Sequence, residues 1–276
     1  MRSVVASDGL ELVCHEAGRS DGRVAVLLHG LTGTASIWDD TAPALAPRFR
    51  VLMLDMRGHG ASGRTDSATD FTIERLSADV VDLLDSVQVA GATVVGHGLG
   101  GTVTQVLGLE HPDRVEAMVL VGTGPGPLDA GSGWAKTRAS LADVAERRGI
   151  EAAWDHYVES GLIGWELDEV PAEIVERWRS EFVKTAPAAL AGLVRSSAAQ
   201  RDRTAELSAI RCPVLVVAGD DDAAFGEAAK VLAAALADGE FVSVVSGGHS
   251  PHVSKADEFN EVVMDFLRRR LPARRR

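Results

Sequence analysis

The chain has 276 residues, of which 46% are hydrophobic and 25% charged, and its 28 basic against 40 acidic residues give a formal net charge of −12. That length holds one large domain with room for an inserted segment, and the composition is that of an ordinary globular protein. The acidic balance argues against nucleic acid as the main partner, because phosphate binding needs a basic face, and no run reaches the roughly 18 apolar residues of a membrane span.

Two short β-like runs open the chain, over 3–6 and 11–15, with Asp8-Gly9 between them as a hairpin signal. Six further runs follow, over 24–28, 51–54, 92–95, 117–121, 213–218 and 241–245. Their near-continuous apolar character predicts strands buried on both faces, as in a parallel sheet. Helical spacing marks 73–84, 99–109, 223–236 and 258–271, so strands and helices alternate. The predicted class is α/β, with a doubly wound, mostly parallel sheet.

Residues 124–209 break that alternation. They carry no strand-like run and four helix-like ones, over 135–148, 150–160, 171–184 and 187–197, the last two opened by proline. The predicted organisation is a core of residues 1–123 and 210–276 with a helical cap over 124–209. Four of the five tryptophans fall in that cap, at Trp134, Trp154, Trp165 and Trp178. Aromatics at helical spacing are more often core than pocket wall; Trp134 and Trp154 are kept as substrate-binding candidates.

Cys14 and Cys212, far apart in sequence, make neither a disulfide framework nor a zinc spacing. Reduced thiols and the absence of an apolar leader in MRSVVASDGLELV predict a cytoplasmic protein. The arginines at 268–270 and 274–276 read as a solvated helix end and tail. No dinucleotide fingerprint or phosphate loop is present, so no cofactor and no metal is expected. The expected partner is a small-molecule substrate; oligomeric state is not legible.

Chemistry-bearing motifs fall at the carboxyl ends of the predicted strands. His29-Gly30-Leu31-Thr32-Gly33 follows the third run, and Asp55-Met56-Arg57-Gly58-His59-Gly60-Ala61-Ser62 the fourth. Gly96-His97-Gly98-Leu99-Gly100 follows the fifth and has the shape of a G-x-S-x-G nucleophile elbow. Gly219-Asp220-Asp221-Asp222 and Gly247-Gly248-His249 follow the last two. Five such motifs in this order resemble the α/β-hydrolase superfamily over nearly the whole chain.

The resemblance implies His249 as general base and Asp222 as the acid that fixes its tautomer, with Asp220 and Asp221 as competitors. It implies backbone N–H groups of Leu31 and Leu99 as an oxyanion hole, the latter at a helix N-terminus. His29 and His252 are candidates for the substrate pocket, whereas His59 and His97 sit inside structural motifs. The family's use of Arg57 is structural. Thr102 and Thr104, the nearest hydroxyls after the elbow, are expected to point away.

The departure is Gly98, which stands where the family's nucleophile serine would be. Three readings follow. The chain is a serine hydrolase (esterase, lactonase or carbon–carbon bond hydrolase) with serine replaced by glycine. Or it is natively serine-less and uses His249 on water or on an acidic substrate proton, as an enamine or enol-lactone hydrolase, decarboxylase, lyase or cyclase. Or it is a non-catalytic small-molecule binder. The stretches Ile210-Arg211-Cys212-Pro213 and Gly247-Gly248-His249 are similar to the aminoacrylate-hydrolase branch, whose members can lack the elbow serine.

Overall fold

A computed structural model of the chain describes residues 1–162 and 172–271. Trp165, Pro171 and the arginines at 274–276 lie outside the described residues. Eight strands form one sheet in the order β1-β2-β4-β3-β5-β6-β7-β8. They are β1 (Arg2–Val5), β2 (Glu11–Gly18), β3 (Arg23–Leu28), β4 (Phe49–Asp55), β5 (Ala92–His97), β6 (Val115–Val121), β7 (Val214–Gly219) and β8 (Gly239–Val244). β1 and β2 pair antiparallel, β2 joins β4 antiparallel, and all remaining pairs are parallel. The fold is thus the α/β, mostly parallel sheet expected from the apolar runs.

The two-residue period of a strand sorts those runs onto two faces. Val26, Leu28, Val94, Leu120 and Val216 face one core. That core also takes Leu76, Val80 and Leu83 of α2 (Ile73–Ser86), Val103 and Val106 of α3 (Leu99–Glu110) and Leu232 of α8 (Gly226–Ala235). Leu27, Val95, Val119 and Val217 face the other, beneath Leu45 of α1 (Ala42–Leu45) and Phe259, Val263 and Phe266 of α10 (Ala256–Arg270). Burial on both faces is why these strands read as unbroken apolar stretches.

Between β6 and β7 lie α4 (Gly133–Arg148), α5 (Ile150–Glu159), α6 (Ala172–Phe182) and α7 (Pro187–Ala199). Ser132 caps α4 by accepting from the Ala135 N–H, and Pro187 occupies the first turn of α7, where no N–H is needed. These helices share a third cluster built on Leu141, Ala145, Trp154, Phe182 and Leu190. α7 fastens them to the sheet: Ala189 and Leu193 belong to the core over α2 and α3, while Leu190 and Val194 belong to the helical cluster. The side chain of Leu31, in the loop after β3, packs into both.

Two differences from the sequence reading have local causes. The eighth helix starts at Gly226 rather than 223. The Asp222 carboxylate takes the N–H groups of Ala224 and Phe225, each at 3.0 Å, and holds that stretch as a turn. A four-residue helix, α9 (Pro251–Ser254), follows the histidine loop and is too short to leave a periodic signal.

Candidate active site

Every motif lies at the carboxyl end of a parallel strand, the edge at which open α/β sheets bind ligands. The elbow is formed as its glycines predict. β5 runs to His97, Gly98 turns with φ 52° and ψ −113°, and α3 begins at Leu99. The left-handed φ is a region that L side chains enter at a cost and glycine enters freely. Gly98 N–H still bonds to Val121 O at 2.9 Å, so the turn is tied to the sheet. A Cβ built at position 98 would lie 3.5 Å from His249 Nε2 and 3.9 Å from Gly30 Cα, in ordinary contact.

The three adjacent aspartates after β7 divide their work. Asp220 accepts from Ser246 N–H at 2.8 Å, and Asp221 accepts from Gly248 N–H at 2.7 Å. Both therefore hold the loop that carries the histidine. Asp222 faces the imidazole: His249 Nδ1–H donates to Asp222 Oδ2 at 3.1 Å. The carboxylate side chain is 2% exposed and the imidazole 43%. Burial opposes ionisation of Asp222, but the bond from His249 and the two main-chain N–H groups outweigh it, and its pKa is lowered. A buried carboxylate on Nδ1 selects the tautomer of the neutral ring whose lone pair is on Nε2, the nitrogen that faces position 98, the arrangement a general base needs.

Several neighbours of this pair left no signal in the sequence. Phe225 stacks on the His249 ring at 5.3 Å with planes 27° apart. Gly122, at the end of β6, lets the histidine loop approach: a Cβ there would fall 2.5 Å from His249 O and 3.0 Å from its Nδ1. His97 lies beneath the pair, its ring 4.7 Å from that of His249, and its Nε2–H donates to His249 O at 3.2 Å. Its place in the elbow motif was visible in the sequence; its contact with His249 was not.

The candidate oxyanion donors are main-chain groups of Leu31, after β3, and Leu99, the first residue of α3. No backbone hydrogen bond among the described residues takes up either N–H. The loop bearing Leu31 is braced from behind. His29 Nδ1–H donates to Gly30 O at 2.8 Å and its Nε2 accepts from Met56 N–H at 3.0 Å. His59 Nε2 meets Leu31 O at 2.8 Å.

Three of the substrate-pocket candidates are corrected by this geometry. His29 has no accessible surface and both ring nitrogens are held by main chain, with burial pushing its pKa down to about 3. His252 has no accessible surface either, packed between Trp38 and His97 with ring centroids 4.5 Å from each. Trp154 is buried in the helical cluster, edge-on to Phe182 at 5.4 Å. Trp134, in the first turn of α4, is half-buried and keeps its candidacy. Arg57 is structural, as the family resemblance implies: it holds Asp79 through two bonds of 2.6 Å and Asp8 at 2.8 Å. The Thr104 hydroxyl is taken by Gly100 O at 2.8 Å.

Among the described residues there is no cluster of His, Cys, Asp and Glu fit to hold a metal. No described helix is long and apolar enough to cross a membrane. Cys14 and Cys212 are free thiols.

A parallel sheet with an elbow after its fifth strand and a histidine–aspartate pair across the same edge defines an α/β-hydrolase. A family model described as alpha/beta hydrolase fold matches residues 24–256, and the chain belongs to that family. It is 32% identical over 270 residues to the putative carbamate hydrolase RutD of Caulobacter sp. (strain K31), covering 94% of this chain and 96% of the relative. Among solved structures it resembles a hydrolase from Pseudomonas aeruginosa PA01, with a TM-score of 0.85, 30% identity, and coverage of 96% of this chain and 97% of that one. It also resembles the enol-lactonase from Burkholderia xenovorans LB400, with a TM-score of 0.82, 27% identity, and coverage of 96% and 99%. The protein is an enzyme of the α/β-hydrolase family.

Proposed function

We propose that the chain carries a serine-hydrolase site for a small carbonyl substrate (an ester, lactone or carbamate) from which only the nucleophile side chain, at position 98, is missing. The observation that carries this reading is the placement of His249 Nε2. It lies 3.5 Å from where a Cβ at 98 would stand, and an oxygen one bond further reaches hydrogen-bond range. With serine at 98, His249 takes the hydroxyl proton as the oxygen attacks the carbonyl carbon. Leu31 and Leu99 N–H groups receive the developing oxyanion. His249 then protonates the leaving group, and water releases the acyl group by the same steps. Helices α4–α7 serve as the cap that selects the substrate.

A second reading is favoured by the glycine itself. Without a side chain at 98, a water molecule beside His249 Nε2 can give up its proton to the imidazole and attack the carbonyl directly. This route suits substrates activated enough to need no acyl-enzyme. The relatives named carbamate hydrolase and enol-lactonase point to carbonyl carbons that already bear a leaving group.

The test is turnover of a p-nitrophenyl ester panel by the parent, Gly98→Ser and Gly98→Ser/His249→Ala. Nitrophenol release by Gly98→Ser alone supports the serine-hydrolase reading. Failure of Gly98→Ser with the fold intact sinks it, and parent activity on activated lactones or carbamates would then favour the water route.

A further inference from the structure

β5 is an apolar strand that ends in an imidazole. His97 lies two residues on from Val95, so it shares that residue's face of the sheet, the side covered by α1 and α10. Its backbone is fixed in the middle of the sheet, where β5 pairs with β6 at His97 and Val121. The ring belongs to a column of four. Ring centroids step from Trp38 to His252 at 4.5 Å, from His252 to His97 at 4.5 Å, and from His97 to His249 at 4.7 Å. The first three rings are buried, and His249, at the end, is open to solvent.

His97 also joins two separate parts of the site. A carbonyl oxygen only accepts, so the 3.2 Å bond to His249 O places the proton of His97 on Nε2. Ser250 Oγ, 3.3 Å from the same nitrogen, shares that N–H. On its other edge the ring lies against Gly30, where a Cβ would fall 2.8 Å from His97 Nδ1 and 3.1 Å from Cε1. Gly30 directly precedes Leu31, the candidate oxyanion donor. Asp220 and Asp221 hold the histidine loop at Ser246 and Gly248, whereas His97 holds it at His249 itself. Burial, and then the imidazoles of His252 and His249, keep the pKa of His97 well below the ordinary histidine value, so it stays a neutral donor.

One side chain, rooted beside position 98 on a rigid strand, thus touches both the base and the loop of the oxyanion donor. Reacting groups displaced by about 1 Å can lose about 10²-fold in rate, so such a tie has catalytic consequences. We propose that His97 is a positioning residue: its Nε2–H bond to the His249 carbonyl and its contact with Gly30 set the spacing of the base and the oxyanion loop around position 98. This rests on the hydrolase reading above for the reaction, but not for the placement of His249.

The test compares His97→Gln with His97→Met. The two side chains have nearly the same length and shape, and only glutamine keeps an N–H donor. Kinetics use the Gly98→Ser background with p-nitrophenyl acetate. There His97→Met should lower kcat by about 10–100-fold with KM within about twofold, because the bond acts on alignment and not on binding. His97→Gln should recover kcat to within about fivefold of the background. Loss of the ring is common to both variants, so a purely structural role lowers both alike. Equal kcat for the two, no loss in His97→Met, or an effect carried by KM overturns the proposal. Crystal structures of the parent and both variants, with glycine at 98, read the placement without substrate. His249 Nε2 should shift by about 1 Å from position 98 in His97→Met and return in His97→Gln. A parent with His97 Nε2 out of hydrogen-bond reach of His249 O, or an unmoved His249 in His97→Met, overturns the proposal. If Gly98→Ser hydrolyses nothing while His249 moves with the residue at 97, the hydrolase reading fails and the positioning role stands. If Gly98→Ser turns over and both variants match it, the positioning role fails and the hydrolase reading stands.

Discussion

Adding a side chain at position 98 isolates the conformational strain of the elbow from its chemistry. The backbone there has φ 52° and ψ −113°. Holding an L residue in such a region costs roughly 1–3 kcal/mol. Loss of glycine's freedom in the unfolded chain offsets about 0.4–1 kcal/mol of that. The new Cβ meets nothing closer than His249 Nε2 at 3.5 Å, so no packing clash adds to the cost. Gly98→Ala and Gly98→Ser should therefore lose the same stability, about 1–2 kcal/mol, since the cost comes from the Cβ and not the hydroxyl. In calorimetry this is a fall in Tm of roughly 2–8 °C for a domain of this size. Gly133→Ala is the control: it has open space around its Cβ and no left-handed φ, and should be neutral or slightly stabilising. A Gly98→Ala protein as stable as the parent would refute the strained elbow. A serine variant much less stable than the alanine one would show that the hydroxyl is not accommodated beside His249.

In the Gly98→Ser background, Asp222→Asn should cut ester turnover by about 10⁴-fold, the size of the loss in serine proteases given the same change, because an amide N–H opposite Nδ1 favours the wrong imidazole tautomer; steady-state kinetics check it. Asp222 is depressed in the folded state, so its stabilisation is present above the unfolded carboxylate value of about 3.9 and is lost as pH falls below it; acid unfolding of Asp222→Asn should be shallower there than that of the parent. His252 is buried with neither ring nitrogen hydrogen-bonded among the described residues, and burial pushes its pKa down to about 3. The unfolded chain takes up a proton below about 6.5 that the folded chain refuses until about 3, so stability is lost as pH drops through that window. His252→Phe should remove that part of the slope and leave stability at pH 8 unchanged or raised by about 1 kcal/mol, since two unpaired polar atoms go with the ring; urea titrations at pH 5 and pH 8 read both effects.

The central strands were legible because burial on both sides writes them as unbroken apolar runs; β3, β5, β6 and β7 all followed. The edge strand β8 is half-buried, its pattern is weaker, and it begins two residues before the predicted run. The motif residues were legible because backbone turns demand glycine at fixed offsets from the chemistry. Which of three consecutive aspartates meets His249 was narrowed by the family spacing, and the structure shows why all three are acidic: two brace the histidine loop through its N–H groups and the third faces the ring. What sequence could not show was which aromatic and imidazole rings are enclosed. Trp154, His29 and His252 carry the composition of a pocket and are shut inside the protein by their neighbours.

Covalent labelling of position 98 probes the serine-hydrolase site without any choice of substrate. Intact-mass spectrometry and peptide mapping would follow an alkyl fluorophosphonate on Gly98→Ser, Gly98→Ser/His249→Ala and the parent. The serine-hydrolase reading predicts one stoichiometric adduct on Gly98→Ser, mapped to position 98, with labelling slowed by orders of magnitude when His249 is removed and none on the parent. A folded Gly98→Ser protein that stays unlabelled, or one labelled equally well without His249, would contradict it.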